Sequence, residues 1–294
     1  MLGVWLAPDG NNSKQIKVMK NKAYKFADSI KKSYNERYES WTALTKVCLP
    51  SLMYALPALT ITEKECISIM WPLLRLLLPR SGICSRFPRA ILYGTSKTQG
   101  IGLNNIYLKM NISHIADIVE HTWKNTITGH LIRSNMECLQ IETGTDLNVL
   151  NLQYTKYDPL DLTESWVRST WEFMSKNKIK ISLDLPPIPL LREGDRLLIP
   201  TLMETHSVKK NQWPAINRCR IYLRIITLAD AASGDGRQIS TTSWEGIRTG
   251  KQYRQYEWTI TSRPPASDWA TWRKVFQVTG LTDKNRNLTT PLGK

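Results

Sequence analysis

The sequence predicts a mainly α-helical protein, in which a helical bundle precedes a smaller, tryptophan-rich and basic α+β region. Apolar residues recur at three- and four-residue steps through much of the first 142 residues, as in helices that bury one face. After residue 190 aromatic residues become frequent and turn signals separate short segments, which indicates mixed helix and strand. A chain of 294 residues with 41% hydrophobic residues is long enough for two folded domains.

The chain begins with a predicted strand and a lysine-rich helix. Residues 2–6 predict a short strand that ends at a turn over residues 8–10. Residues 14–37 carry apolar positions at helical spacing, and seven lysines lie between residues 14 and 32. These lysines could follow a phosphate backbone, or they could form only a solvated polar face.

Two more helices complete the predicted bundle. Residues 40–54 predict a helix that Pro50 bends. Thr62 and Glu65 have the spacing of a capping box, in which each side chain bonds to the backbone N–H of the other residue, so a third helix is expected to begin there. Short connections between consecutive helices favour a bundle.

The third helix continues into a basic segment. Residues 66–102 contain five arginines and lysines and no acidic residue. Either the whole stretch from Lys46 to Gly102 is a core element with a polyanion contact at its edge, or it is a buried helix pair followed by a basic loop. Gly100 and Gly102 could bring backbone amides to a phosphate, although a plain turn is more typical of such a pair.

Further helices are predicted at residues 105–124, 128–139, 163–177 and 213–231, with a short one from Ser267 to Gly280. Residues 195–203 predict a strand, and the chain after Asp283 is expected to be loose. The predicted domains are residues 1–12 (a strand), 13–142 (helical), 143–190 (a helix and a proline-rich linker) and 191–294 (basic and tryptophan-rich).

The charge is large and unevenly distributed. The net charge is +15, and residues 1–100 and 207–294 each contain 15 Lys and Arg against 6 Asp and Glu, whereas residues 101–206 contain 10 against 13. Two basic ends indicate an anionic partner, most simply nucleic acid, with an anionic membrane as the other candidate.

The apolar segments are too short for a membrane span, and no signal peptide is recognisable. Five cysteines without a Cys-x-x-Cys pair favour a reducing compartment, so the expected location is nuclear or cytoplasmic.

Aromatic and basic residues alternate near the C-terminus. Trp258 and Trp272 lie among arginines in this region, a pattern that suits base stacking combined with phosphate contact. The same pattern is equally typical of a small domain packed around tryptophans.

The sequence lacks the recognisable patterns of an active site. Enzymes that use two metal ions need clustered carboxylates, and the chain has no adjacent Asp-Asp pair and no third partner at a recognisable spacing for its acidic pairs. It also lacks a Gly-x-Ser-x-Gly elbow, a Walker loop and a His-Glu-x-x-His motif. We therefore expect no metal site and no cofactor in this chain, and whether it acts as an enzyme is left open.

Several stretches of the chain together form a recognisable pattern. They are Leu2-Gly-Val-Trp-Leu-Ala-Pro-Asp-Gly10, Leu52-Met-Tyr-Ala-Leu-Pro-Ala-Leu-Thr60, Glu65-Cys-Ile-Ser-Ile-Met-Trp-Pro72, Arg86-Phe-Pro-Arg89, Leu92-Tyr-Gly94, Gly102-Leu-Asn-Asn-Ile-Tyr107, Arg218-Cys-Arg-Ile-Tyr-Leu223 and Trp269-x-x-Trp272-Arg273. These stretches resemble the part that follows the polymerase core in the reverse transcriptases of non-LTR-type retrotransposons. The resemblance covers most of the chain and is best in residues 2–142.

The resemblance implies a fragment of an RNA-directed DNA polymerase. Residues 1–12 would be the edge strand of the palm, and residues 13–142 would be a thumb-like domain that grips template and primer. The family's aromatic-Ala-Asp-Asp motif and its magnesium would belong to an upstream palm, since Phe26-Ala-Asp28 is followed by Ser29. The fragment would bind nucleic acid without its own polymerase site.

The predicted function is therefore binding of RNA or DNA as template–primer. A helical scaffold or protein-interaction module is the alternative from another class, and an enzyme whose palm is supplied upstream or in trans is a third. The candidate phosphate contacts and stacking residues are Lys14, Lys17, Lys20, Lys25, Arg80, Arg86, Arg89, Trp258 and Trp272.

Overall fold

The computed structural model describes residues 3–7, 10–183, 187–249, 256, 258 and 261–293. The chain divides into two compact units, Met1–Ile118 (unit 1) and Val119–Lys294 (unit 2). The boundaries predicted after residues 12, 142 and 190 divide the chain differently and stay predictions.

Helices make up most of the described structure, which confirms the mainly α class. The α-helices are α1 Ser13–Lys32, α2 Arg37–Thr42, α3 Leu49–Met53, α4 Glu63–Arg80, α5 Arg89–Tyr93, α6 Ile106–His121, α7 Ile127–Thr143, α8 Tyr154–Tyr157, α9 Trp166–Lys176, α10 Leu198–Glu204, α11 Trp213–Leu223, α12 Leu228–Ala231, α13 Thr241–Glu245 and α14 Ala266–Val278. Shorter 3₁₀ turns occur at Leu56–Ala58, Ser96–Thr98, Val149–Asn151, Asp158–Leu160 and Lys210–Gln212.

Unit 1 is built around α1 packed against α4. The apolar stripe of α1 is buried there through Ile16, Met19 and Ala23, which are 7%, 2% and 0% exposed. On α4 the buried residues recur at helical spacing from Cys66 to Leu78, so the helix presents one wide apolar face to its neighbours. The periodicity of the two helices therefore explains their pairing.

Capping boxes set two helix starts in unit 1. The predicted box at α4 is present, because Glu65 N donates to Thr62 Oγ1 and Thr62 N donates to the Glu65 side chain. A second box, at Glu36 and Glu39, begins α2. α1 ends at Lys32, with Ser33 as its extended C-cap, which is earlier than the predicted residue 37.

The predicted second helix contains a widened segment. Residues Ala43–Cys48 form a π-helix between α2 and α3. Pro50 lies in the first turn of α3 and lacks the N–H that a regular helix would direct at residue 46. The π segment accommodates this missing bond without ending the helical path.

The predicted N-terminal strand does not form among the residues described. Residues 3–7 have no strand hydrogen bonds, and Leu2 lies outside the described residues. Trp5 N instead donates to Oε1 of the buried Gln15, at 2.9 Å, and Val4 packs against the core of unit 1. This segment is therefore held by α1 rather than by a sheet.

Unit 2 packs α11 against α14, with α7 and α9 also in contact. Its largest buried side chains are aromatic: Trp171 and Trp272 are both 0% exposed. Trp171 lies edge-on to Tyr154 at 5.0 Å between ring centroids, and its Nε1 donates to Leu152 O. Such ring pairs, together with their satisfied N–H groups, supply much of the core of this unit.

In the C-terminal region predicted as α+β, the described residues form short helices joined by irregular segments. The strand pairing recorded there consists of isolated antiparallel bridges, such as that between Leu197 and Thr227. The strand predicted at residues 195–203 is wrong, because α10 begins at Leu198 and takes up most of that range. Leu198, Ile199, Leu202 and Met203 are all buried, which is a helical spacing.

Two other predictions in unit 2 need correction. The helix predicted over residues 213–231 is interrupted at Arg224, which has the left-handed φ of +61° and ends α11 before α12 begins. The chain after Asp283 is not loose over its described residues. Leu288 and Leu292 are 4% and 6% exposed, and Leu288 N donates to Arg237 O.

A buried histidine makes unit 1 sensitive to acid. His114 is 1% exposed, its Nε2 lies 3.3 Å from Leu56 O, and burial lowers its pKa from the usual 6.5 to about 4, against the opposing effect of its backbone hydrogen bonds. The imidazole thus binds a proton less readily in the folded chain, at a pKa of about 4, than in the unfolded chain, at 6.5. Unit 1 therefore keeps its full stability above pH 6.5 and loses stability as the pH falls from 6.5 towards 4. We expect this residue to account for about 3 kcal/mol of the lost stability of unit 1.

Urea unfolding at pH 7.5, 5.5 and 4.5, followed by circular dichroism, measures this effect against His114→Gln. Glutamine keeps hydrogen-bonding capacity but does not titrate. The unfolding free energy of wild type should fall more steeply with acid than that of the variant. Parallel curves would contradict the assignment to His114.

The five cysteines are free thiols that differ in exposure. Burial raises the pKa of Cys48, Cys66 and Cys219 to about 12, whereas Cys84 is exposed. Because the thiolate is the reactive species, Ellman's reagent should modify Cys84 rapidly and the three buried thiols only after unfolding. In the Cys84→Ser variant the rapid phase of the reaction with Ellman's reagent should disappear. A rapid phase that persists in this variant would contradict the assignment of that phase to Cys84.

Candidate nucleic-acid interface

The surface of α1 that faces away from the core is basic. Lys14 and Lys25 lie opposite the buried stripe, and Lys17 and Lys20 lie to one side of it, as a helical repeat of 100° per residue requires. Lys14, Lys17 and Lys25 are exposed and Lys20 is half-buried. The same periodicity that buries the apolar face therefore displays the four predicted lysines.

These lysines have few partners within unit 1. Lys17, Lys20 and Lys25 make no ion pair or hydrogen bond with the described residues. The acidic residue of α1, Asp28, pairs with Lys32 at 2.6 Å. The positive charge of this face is thus largely uncompensated.

An aromatic ring lies at the N-terminal end of the basic face. Lys14 Nζ is 3.4 Å from the centroid of the Trp5 ring, a cation–π contact, and Trp5 is 53% exposed. Trp5 is not among the interface residues predicted from the sequence. Its position beside Lys14 depends on how residues 3–7 fold back onto α1, which the local sequence does not determine.

A cluster of basic groups lies at the other end of α1. The Arg80 guanidinium donates to the carbonyl oxygen of Lys31, one of the last carbonyls of the helix. A Cβ at Gly82 would lie 3.2 Å from Arg37 Cδ, so Arg37 also borders this segment. The fold thus brings Arg80 to α1 and adds Arg37, which the sequence analysis missed because only tertiary packing brings it there.

Arg86 and Arg89 are exposed in the connector between α4 and α6. Arg89 donates to Ser85 O at 3.0 Å, which folds its side chain back along its own segment. Within the described ranges, no hydrogen bond or ion pair joins either arginine to α1. They remain candidates on a separate part of the unit.

The amides of the Gly100–Gly102 segment are already used. The N–H groups of Gly100, Ile101 and Gly102 donate to carbonyls of Thr95, Ile91 and Gly94, at 2.8, 2.9 and 2.8 Å. A Cβ at Gly100 would lie 2.1 Å from Gly94 C, so this turn needs glycine for close packing. The plain turn is the correct interpretation, and no phosphate cradle forms here.

The two tryptophans selected from the sequence lie in unit 2 and differ in exposure. Trp272 is fully buried, and its Nε1 donates to Ser243 O at 3.0 Å, so its ring cannot stack on a base. Trp258 is half-buried and packs with Tyr256 against a small cluster that includes Ile188. Trp272 therefore cannot belong to the candidate interface, whereas Trp258 stays a candidate.

Two arginines of α11 have structural partners. Arg218 Nε donates to Asp268 Oδ2 at 2.8 Å, which joins α11 to α14. Arg220 is 0% exposed and makes all its hydrogen bonds inside unit 2. The basic charge of residues 207–294 is therefore not all available to a partner.

Comparison of the chain with protein-family models, curated protein sequences and solved structures finds no match. No helix in the described ranges combines the length and apolar content that crossing a membrane requires.

A magnesium site was expected only in the upstream palm. Over the part of the chain that the structure describes, no three His, Cys, Asp or Glu side chains come together as metal ligands. Among the described residues, no group of carboxylates is placed to hold the magnesium that the resembled polymerases use.

Proposed function

We propose that this chain binds nucleic acid, in the manner of a reverse-transcriptase thumb gripping template and primer, through the basic face of α1. The observation that carries the proposal is the set of lysines at positions 14, 17, 20 and 25, which share one helix surface and lack acidic partners among the described residues. Phosphate contacts of this kind supply most of the affinity in non-specific nucleic-acid binding.

The dimensions of α1 suit a nucleic-acid duplex. A helix of 20 residues is about 30 Å long, close to the ~34 Å of one duplex turn. Lys14 and Lys25 are separated by about 16 Å along the helix axis. The basic face is therefore long enough to contact several phosphates of one strand.

The two ends of α1 extend this surface. Trp5 adds an exposed ring beside Lys14, and Arg80 adds a guanidinium at the C-terminal end. An aromatic ring next to a cation suits an unpaired base, and arginine suits a phosphate. These groups favour a junction of paired and unpaired strand, as at the end of a primer.

Binding of fluorescently labelled ligands to the purified chain tests the proposal. We expect anisotropy to rise with an RNA–DNA hybrid that has a single-stranded overhang, and to rise less with a polyanion of equal charge but no bases, such as heparin fragments. Absence of binding to the hybrid by a chain that is folded by circular dichroism would refute it.

A protein-interaction module is the second candidate. Ile67 and Trp71, one turn apart on α4, are 59% and 50% exposed, which is high for side chains of this size. For an interaction module, Trp71→Ser should abolish partner binding while neutralising the α1 lysines leaves it intact. If the chain instead binds nucleic acid through α1, neutralising the α1 lysines should weaken binding of the RNA–DNA hybrid, and Trp71→Ser should leave that binding unchanged.

A further inference from the structure

Unit 2 contains a cavity of about 380 Å³ along one face of α7. Residues spaced three, four and seven apart on that helix line it, including Arg133, Glu137 and Gln140. The volume lies in the range of small-molecule sites, about 300–1,000 Å³. None of the residues that we assign to the basic face of α1 borders this cavity.

The first unusual feature of the cavity is a buried amide. Gln140 is 5% exposed, and its Nε2 has no hydrogen-bond partner among the described residues. Buried polar groups of folded proteins are almost always hydrogen-bonded, and an unpaired one needs an explanation. A bound ligand with an acceptor atom would provide the missing partner.

The second feature is a fixed positive charge. Arg133 Nη1 donates to Thr122 O at 2.6 Å and to Lys124 O at 3.2 Å, and its Nη2 lies 3.0 Å from His130 Nδ1. His130 Nε2 in turn lies 3.0 Å from Asn125 Oδ1. These bonds hold the guanidinium in place at the cavity, where it can attract an anionic group without reorganisation.

The third feature is the aromatic and apolar lining. Trp123 is 56% exposed although it is a large apolar side chain, and Tyr256 is half-buried. Ile141 and Ile188, which are 4% and 7% exposed, provide apolar surface. Flat rings beside apolar walls favour a planar ligand that can stack.

We propose that this cavity binds a single nucleotide. The base stacks on Trp123 or Tyr256 and accepts a hydrogen bond from Gln140 Nε2, while the phosphate faces Arg133. A planar heteroaromatic ring with acceptor atoms and an attached anion matches all three features at once. The site is independent of the α1 surface, because it uses different residues in a different unit.

Isothermal titration of the full chain with AMP, GMP, CMP and UMP tests this proposal. We expect at least one of them to bind with Kd below about 1 mM. Gln140→Met removes the donor but keeps the length of the side chain, so it should weaken binding at least tenfold without lowering the melting temperature. If Gln140→Met keeps the melting temperature of wild type but loses affinity for the nucleotide, Gln140 acts in binding and not in stability.

Exposed tryptophans supply a matched pair of variants. Trp123→Ala should also weaken binding at least tenfold, whereas Trp71→Ala, which removes an equally exposed ring from unit 1, should leave it unchanged. Unchanged affinity in both Gln140→Met and Trp123→Ala, or no saturable binding of any of the four nucleotides, would overturn the proposal.

The nucleotide can be free or can be the end of a single strand. Displacement of the bound mononucleotide by a 5′-phosphorylated oligonucleotide would identify a strand end as the ligand, and failure to displace it would identify the free nucleotide. Neutralising Lys17, Lys20 and Lys25 should not affect mononucleotide binding, so failure of the α1 proposal is distinguishable from failure of this one.

Discussion

Replacing Arg220 with methionine is expected to lower the free energy of unfolding of unit 2 by about 3–5 kcal/mol. The guanidinium donates to the carbonyl oxygens of Ile141, Glu142 and Ile225, at 2.5, 2.8 and 3.1 Å, and to Asn217 Oδ1. Methionine fills similar volume but donates nothing, so it leaves buried acceptors unpaired. The residue acts as a cap on the C-terminal carbonyls of α7.

The charge of Arg220 does not undermine this expectation. Burial lowers its pKa to about 10, which still leaves the guanidinium protonated at neutral pH. Its hydrogen bonds offset the cost of removing the cation from water. Gly144, which follows α7, has a left-handed φ of +63°, and a Cβ there would lie 3.5 Å from Arg220 Nη1. The packing around the cap is therefore close.

Urea unfolding followed by tryptophan fluorescence measures the effect, because most of the 11 tryptophans lie in unit 2. Arg263→Met is the control, since Arg263 is exposed, and it should change stability by no more than about 0.5 kcal/mol. Equal stability of the two variants would show that the Arg220 hydrogen bonds contribute nothing net.

Neutralising three of the candidate lysines of α1 is expected to weaken the proposed nucleic-acid binding by about 100- to 1,000-fold at 0.1 M salt. The substitutions are Lys17, Lys20 and Lys25 to Gln, which preserve helix propensity and remove three positive charges. Each lysine that contacts a phosphate releases about 0.7–0.9 of a counterion, so three contacts correspond to two or three decades of affinity. Anisotropy with a labelled RNA–DNA hybrid measures the change.

A variant with the same loss of charge elsewhere provides the control. Lys180, Lys274 and Lys284 are exposed in unit 2, and their replacement by Gln also removes three positive charges. This variant should bind the hybrid with nearly wild-type affinity. Equal weakening of both variants would mean that net charge alone attracts nucleic acid and that α1 has no specific part.

The sequence predicted what local periodicity determines. The spacing of Ile16, Met19 and Ala23 gave both the helix and its buried face, and therefore the exposure of the lysines opposite. The capping box at Thr62 gave the start of α4 within one residue, because it involves contacts only three residues apart.

The errors come from contacts that are distant in the sequence. Residues 2–6 and 195–203 contain enough apolar residues for strands, but strands need partners, and local sequence does not show whether partners exist. In residues 198–203 the buried positions recur at one- and four-residue steps, which place them on one face of a helix, whereas the residues on one face of a strand would alternate.

The exposure of the candidate lysines was largely predictable from the sequence, whereas the burial of the arginines and tryptophans was not. Arg218 and Arg220 are two residues apart, yet one is exposed in a salt bridge and the other is fully buried. Likewise, composition cannot distinguish Trp272, which is in the core, from Trp123, which is exposed at a cavity. Burial in these cases depends on which helices pack together.

The salt dependence of hybrid binding tests the α1 interface most directly. Affinity of wild type and of the Lys17/Lys20/Lys25→Gln variant should be measured from about 0.05 to 0.3 M salt. Phosphate contact by α1 predicts a steep negative slope of log K against log[salt] for wild type, and a slope smaller in magnitude by about 2–3 for the variant. Identical slopes for the two chains, or a wild-type slope near zero, would contradict it.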